Sequence, residues 1–339
     1  MKKLFSYFIL ILIAGACANR VLKYDKAEGL KKIDEFDRQV QIVVAPEEEP
    51  AQQAQAPILS EKKEPQKSVS AEAKKIKTQK EKGKPSRRQP ELESDEGFQG
   101  RRPIVDPFRV GEKVVHTVSW SKINAGYLSF EVRPFAFVNG QKSYQYQMKI
   151  WSNSFFSSIF SVEDKLISLV DFDTLVPSVF TLHVKHTSEL REARAFFDQK
   201  KKLATYWEKR VTSGDGEKEK KIQWPMSDYS QDIYSALFYM RTFHWDLGKT
   251  HQFRVANDNE NLVFKATAIR KEKIETDVGS FDAIVVQPQV ELKGIAKPVG
   301  DIFMWLSDDD RKYILRIESK VKIGTFVTEV SELDPGRVE

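Results

Sequence analysis

The chain has 339 residues, with 54 Lys and Arg against 49 Asp and Glu, for a formal net charge of +5. A surplus this small gives no footing to a nucleic-acid binder, and a single cysteine excludes an internal disulfide. Hydrophobic residues make up 40% of the chain, enough for a sizeable core, but they are unevenly distributed.

Lys2 and Lys3 precede an apolar run, Leu4 to Ala14, which is followed by Gly15, Ala16 and Cys17. A positive start, a short apolar stretch and small residues before a cut describe an export signal over residues 1–16. The run falls short of the roughly 20 residues that span a bilayer. The lone Cys comes directly after it, and "IAGAC" resembles the lipobox of bacterial lipoproteins. There the sulfur accepts a diacylglycerol and the Cys becomes the first residue. Palmitate-like chains at Cys17 then hold the protein to a membrane, each buried CH₂ adding about 0.8 kcal/mol. Two other readings are an ordinary secreted protein with an incidental Cys and an uncleaved signal anchor. Ala14 departs from the lipobox, where Leu is commoner. Ala18, in place of an Asp, resembles an outer-membrane address facing the periplasm.

Val21 to Val44 holds a short helix around "KAEGLKKIDEFDRQV". From about Ala45 to Gly100 the chain is rich in Pro, Gln, Glu, Lys and Ser and nearly free of aromatic residues. Such a stretch buries too little apolar surface to offset its ordering entropy, so residues 17–101 are expected to be a lipidated, disordered tether. As a flexible coil its ~80 residues would span about 50 Å. A basic run, Lys74 to Arg88, suits an anionic surface such as headgroups or wall polymer, or else is a solvated linker. No aromatic residues interleave with it, which argues against single-stranded nucleic acid.

The rest, residues 102–335, contains all six tryptophans and alternates with period two. Leu128, Phe130 and Val132 alternate with Ser129 and Glu131; Tyr144, Tyr146, Met148 and Ile150 with Gln145, Gln147 and Lys149. "WSNSFFSSIFSVED" (Trp151 to Asp164) sets Phe155, Phe156, Ile159 and Phe160 among serines, as an apolar lip at a barrel mouth or a short buried helix. Turn residues follow at Asn139-Gly140, Ser213 to Gly216, Asn257 to Asn259 and Gly279-Ser280. Between Ser227 and Gly248, Ile233, Leu237, Met240, Ala236 and Phe243 recur at helical spacing, which predicts one helix packed on or plugging the sheet. Near the end Leu315, Ile317, Val321 and Ile323 share one parity. Short strands joined by tight turns predict a mainly β fold, an antiparallel curved sheet or open, half-closed barrel with one helix.

The order of "FRVGEKVVHTVSW", "INAG", "FFD", "SALFYMR", "VGSFDAI", "MWLSDDD", "RIE" and Gly324 resembles the bacterial family known as domain of unknown function 3108, over residues 104–333. Ile314 stands near a place where relatives often have Pro. The resemblance implies an exported, β-rich envelope protein, with a fold like the open barrels of lipoprotein carriers. It supplies no catalytic residues.

Chemistry is thinly signalled. Asp308, Asp309 and Asp310 are contiguous, with no following Gly, so they read as a hairpin turn rather than a calcium loop. His183 and His186 lie three apart in a strand and face opposite sides. His116 shares parity with Val114 and Val118 and faces the core or a cavity. Asp171 and Asp173 share a strand face but mark a strand end. No zinc pattern or nucleophile elbow is present. We therefore expect no enzyme, no cofactor and no metal. The expectation is a membrane-tethered module binding an amphiphile or envelope protein within or on the sheet. Trp120, Phe130, Tyr146, Met148, Trp151, Phe155, Phe156 and Trp305 are candidate cavity liners, each also readable as core. The alternatives are an assembly factor acting through protein contacts, and a hydrolase using Asp308, Asp309 or His116.

Overall fold

The period-two segments become strands of one curled antiparallel sheet in a computed structural model of the chain. The structure describes residues 22, 25–45, 104–292, 295–298, 301–321 and 324–337. The signal segment, Cys17, the charged stretch after Ala45 and the basic run Lys74 to Arg88 lie outside the described residues.

A first wall is built from β2 (Glu112–Trp120), β3 (Ile123–Val138), β4 (Gln141–Ser152), β5 (Val162–Asp171), β6 (Pro177–His186), β7 (Glu189–Asp198), β8 (Leu203–Thr212) and β9 (Gly216–Pro225). A second follows from β10 (Thr250–Asn257), β11 (Glu260–Thr276), β12 (Gly279–Leu292), β13 (Ile295–Pro298), β14 (Asp301–Ser307), β15 (Ile314–Val321) and β16 (Gly324–Pro335). Because β16 pairs with β2, the path runs β10-β11-β12-β14-β15-β16-β2-β3-β4-β5-β6-β7-β8-β9. Register shifts between Val118 and Ser119, Arg133 and Ala136, and Val330 and Glu332 mark bulges, which raise local twist and curl the sheet.

The path does not close, since β9 and β10 are its two ends. Residues 226–249 fill the gap. Gln231 pairs with β10 at one edge of it, its N donating to Arg254 O at 2.8 Å and its O accepting Ala256 N at 2.9 Å. Asn261 Nδ2 donates to Pro225 O at 2.9 Å from the far side. The expected half-closed barrel is therefore found, with its own chain in the opening.

The expected long helix is a correction. Only α4 (Ser235–Tyr239) and a 3-10 turn (Met240–Thr242) form. Ser227 and Asp228 do not start it; the Asp232 carboxylate accepts Tyr234 N at 2.7 Å and Ser235 N at 2.8 Å. Upstream, Gln231 is committed to β10. Downstream, Phe243 and Trp245 are buried with Ala236, Phe238, Tyr239 and Met240, so the segment is covered on all sides and held by tertiary contacts. Within the β domain it is joined by the short α3 (Ser154–Ser157), and where the sequence suggested one short helix in Val21 to Val44 the described residues form two.

Those two, α1 (Asp25–Leu30) and α2 (Asp34–Gln39), followed by β1 (Ile42–Val44), correct the boundary placed at residue 102. They form a strap across the outer face of the first wall. Phe36 sits fully buried with Ile33, Val40, Leu169, Val179 and Trp207, its ring 5.7 Å from that of Trp207. Arg194 reaches Asp37 at 3.0 Å and Lys31 O at 2.6 Å. β1 then pairs with β3 at residues 136–138. Outward apolar side chains on β5, β6 and β8 need such a cover, and residues 25–45 provide it.

Candidate functional site

The eight candidate liners do not surround one cavity. Phe130, Tyr146 and Met148 lie on the inner face in the main core, and that face is occupied. Phe238 from α4 stacks on Tyr146 at 4.1 Å with the rings 3° from parallel. Phe108 packs on Tyr146 at 5.1 Å. A small void among Val114, Phe130, Phe238, Arg241 and Ile314 measures about 10 Å³, roughly room for one water.

Trp305 is on the other face, in a separate cluster with Val285, Tyr313 and Leu315. Arg270 and Arg316 lie over its ring at 5.5 and 5.2 Å. Along one strand successive side chains alternate, and Met304 and Leu306 take the inner positions. The shared parity of Leu315 and Ile317 also breaks. A register shift opposite Trp305 and Leu306 sends Leu315 to the Trp305 cluster and Ile317 to the main core.

The other four candidates gather at one end of the first wall. The β2–β3 turn and the β4–β5 connection, which carries α3, stand side by side there. Asn153 joins them, donating from Nδ2 to Asn124 O at 2.7 Å and from N to Ala125 O at 3.2 Å. Its Oδ1 accepts Phe156 N at 2.9 Å and so caps α3. Gly126 permits the closeness of β3 and β4: a Cβ there would meet Trp151 O at 2.2 Å. Trp151 stacks on Tyr127 at 5.5 Å, and Trp120 on Phe326 at 6.3 Å; both tryptophans are half-buried. In front of them Phe155 is 67% exposed, Ile159 70% and Ile123 56%, with Phe156 partly covered. "WSNSFFSSIFSVED" is thus the lip of the two readings, not a buried helix.

The opposite end is tightly bound. Glu112 and Arg241, both almost fully buried, pair at 2.6 and 3.1 Å. Arg241 also donates to Pro107 O at 3.0 Å and to Arg311 O, and Arg311 binds the same carboxylate. The guanidinium of Arg241 lies 5.3 Å from the Phe108 ring and 5.5 Å from that of Tyr313. Sequence reasoning missed this cluster. Glu112 and Arg311 are 199 positions apart, so no local spacing announces it.

Groups suggestive of chemistry are engaged structurally. Asp309 Oδ1 accepts Arg311 N and Lys312 N, both at 2.9 Å, closing the β14–β15 turn, and Asp308 pairs with Lys271 at 2.6 Å. Asp171 Oδ1 accepts Thr174 N at 2.8 Å. His183 meets Glu192 at 2.9 Å while His186 meets Asp164 at 2.8 Å, on opposite faces of β6. His116 is fully buried beside Thr328 and Phe130, and burial pushes its pKa down to about 4. Among the described residues no three His, Cys, Asp or Glu side chains come together as a metal would require.

A half-closed antiparallel barrel filled by its own chain, with an apolar lip at one end, defines the architectural class. The chain belongs to the family described as protein of unknown function DUF3108, whose model matches residues 115–331. Among curated proteins, no relative matches it. Several solved structures are similar. One is a beta-barrel-like protein of domain of unknown function DUF1849 from Brucella abortus: 8% identity, 68% of this chain, 99% of that chain, TM-score 0.43. Another is a protein from Bacteroides fragilis described as exported with a YmcC-like fold: 7% identity, 68% and 98% coverage, TM-score 0.30. A third, described as a lipoprotein, is from Parabacteroides distasonis: 10% identity, 69% and 99% coverage, TM-score 0.27.

Proposed function

We propose that this protein is an exported envelope module, anchored through Cys17, that engages an envelope component on the surface of its half-barrel and catalyses no reaction. One observation carries this reading: the inner face is filled by residues 226–245, whereas Ile123, Phe155 and Ile159 stay in solvent at the lip. An amphiphile inside the sheet would first have to displace Phe238 and Arg241 from their partners. The turn roles of Asp308 and Asp309 speak against hydrolysis, and the outer-membrane address rests on the residues around Cys17. The basic run Lys74 to Arg88 supplies charge for an anionic polymer or headgroups. It belongs to the chain between Ala45, which bonds to Phe135 O at 2.9 Å, and Asp106, which accepts Tyr144 Oη. Both points lie at the end opposite the lip.

Native mass spectrometry of the protein extracted with its ligands, alongside photocrosslinking in intact envelopes, tests the proposal. Crosslinks from the lip with no internal lipid are the expected result. One stoichiometric lipid that protects Tyr146 or Phe238 would instead place the ligand inside.

A further inference from the structure

The strap and the lip meet at one turn. Thr187, between β6 and β7, accepts Leu22 N on its carbonyl at 3.3 Å. The same residue donates its N to Ser161 O at 3.2 Å and accepts Ser161 N on Oγ1 at 2.8 Å. Ser161 closes the connection that carries Phe155 and Ile159. Leu22 is five positions after Cys17, and five extended residues reach at most about 18 Å. The long charged stretch does not intervene, because it comes after the strap. The attachment point is therefore confined to the neighbourhood of the lip.

We propose that the lip is a membrane-docking surface: Ile123, Phe155 and Ile159 enter the headgroup–acyl boundary of the phospholipid bilayer that holds Cys17. This deepens the function proposed above and rests on its Cys17 anchor. The half-barrel then rides on its membrane and does not work at the end of a long leash (residues 17–101, as the composition suggested).

The lip has the chemistry for it. Aliphatic and aromatic tips stand in front of half-buried Trp120, Tyr127 and Trp151, the rings that settle where apolar and wet layers meet. Its polar groups are largely satisfied from within. Ser158 Oγ donates to Phe155 O at 2.6 Å, Ser157 Oγ lies 2.8 Å from Ser152 Oγ, and Phe160 N donates to Phe156 O at 2.7 Å. Lowering it toward acyl chains thus strands few donors. Exposed Lys122, next to Ile123, supplies a cation for headgroup phosphates. The Asn153–Asn124 bond holds the two loops together and keeps the three exposed tips at the same end of the half-barrel. A short covalent link to Cys17 gives the bilayer a high effective concentration at that face, which a diffusing protein partner lacks.

The test uses the one native cysteine. In the full-length lipidated chain Cys17 carries the anchor, so Phe155→Cys, Ile159→Cys or, at the opposite end, Lys200→Cys introduces the only free thiol. Each is labelled with an environment-sensitive fluorophore and reconstituted into vesicles of phosphatidylethanolamine with a minor share of phosphatidylglycerol. Probes at 155 and 159 should shift to the blue and be quenched by nitroxide-bearing acyl chains, while the probe at 200 does neither. Equal water exposure at all three positions overturns the proposal. So does protection of 155 and 159 in whole envelopes but not in vesicles, which would identify a protein partner. Palmitate incorporation, compared with Cys17→Ser, reads the anchor separately. Incorporation with the lip in water overturns docking alone. No incorporation, with lip probes on the Cys17→Ser chain still inserting into added vesicles, overturns the anchor and supports docking.

Discussion

The two ends of the half-barrel treat costly groups in opposite ways. At the end holding Arg241, charge is buried but paired: Glu112 takes two guanidinium groups, and Arg241 reaches two backbone carbonyls as well. At the lip, grease is left in water, with Phe155 and Ile159 exposed like Ser154, Ser157 and Ser158 around them. Stability explains the first arrangement, because those contacts fasten the plug to both walls. It does not explain the second, since exposed Phe and Ile contribute nothing to the core. The contrast fits folding at one end and, at the other, the external contact proposed above. It can be broken from either side.

The largest effect is expected at the buried charge cluster. Arg241→Leu leaves Glu112 with only Arg311 and should lower unfolding stability by about 3–5 kcal/mol. The midpoint of a urea titration checks it. Combining it with Glu112→Gln should lower the midpoint further, because Arg311 then loses its carboxylate partner. If Arg241→Leu leaves the midpoint unchanged, the plug is not anchored there and the comparison between the ends fails.

Next comes His116, which sharpens the same contrast through pH. Burial holds its folded pKa at about 4, below the ordinary value of 6.5. Between those values the unfolded chain binds a proton that the folded chain refuses, so stability falls as pH falls through the window. The full contribution is up to about 3 kcal/mol, present above the unfolded value and lost by the folded one. Urea midpoints at neutral pH and near the lower limit should differ less for His116→Leu than for the unchanged protein.

Gly126 sits between these regimes, in the wall just behind the lip. A Cβ there meets backbone, Trp151 O at 2.2 Å and Ser152 Cα at 2.9 Å, neither of which can rotate away. Gly126→Ala should cost about 2 kcal/mol by overpacking and change the near-ultraviolet signal of Trp151 as β3 and β4 part. A silent substitution would mean that the lip is not braced by that contact.

How far these features could be read in advance follows from the range of the forces that make them. Alternation in "LSFEV" and "YQYQMKI" reports which face is dry, and that much is local, so the sheet and its antiparallel order were legible. Bulges are not local. The shift opposite Trp305 depends on how β14 and β15 are drawn together, and it parts Leu315 from Ile317 although their parity agrees. Helical spacing at residues 233–243 reported burial correctly, but burial on every side let tertiary contacts decide the backbone. The strap was half legible: its apolar positions suggested helix, while its partner Trp207 lies 171 positions beyond Phe36. The same holds for Glu112 and Arg241, 129 apart. The lip was half legible: Phe and Ile among serines allowed an exposed lip or a short buried helix, and the contacts that decide between them, Asn153 with Asn124 and Ser161 with Thr187, cross between separate connections and leave no local signal.

The smallest expected effect is the one that separates the two ends most cleanly. Phe155→Ser and Ile159→Ser remove apolar surface that is already in water, so neither creates a cavity nor strands a partner, and Asn153 still caps α3 through its own side chain. Surface changes of this kind ordinarily stay within about 0.5 kcal/mol. Urea midpoints should therefore be indistinguishable from those of the unchanged protein, while Phe36→Ala, an equally aromatic deletion beneath the strap, lowers stability by about 3 kcal/mol or releases residues 25–45 to hydrogen exchange. A marked loss from either lip substitution would mean that these side chains belong to the core, and the case for an external contact at that end would fall with it.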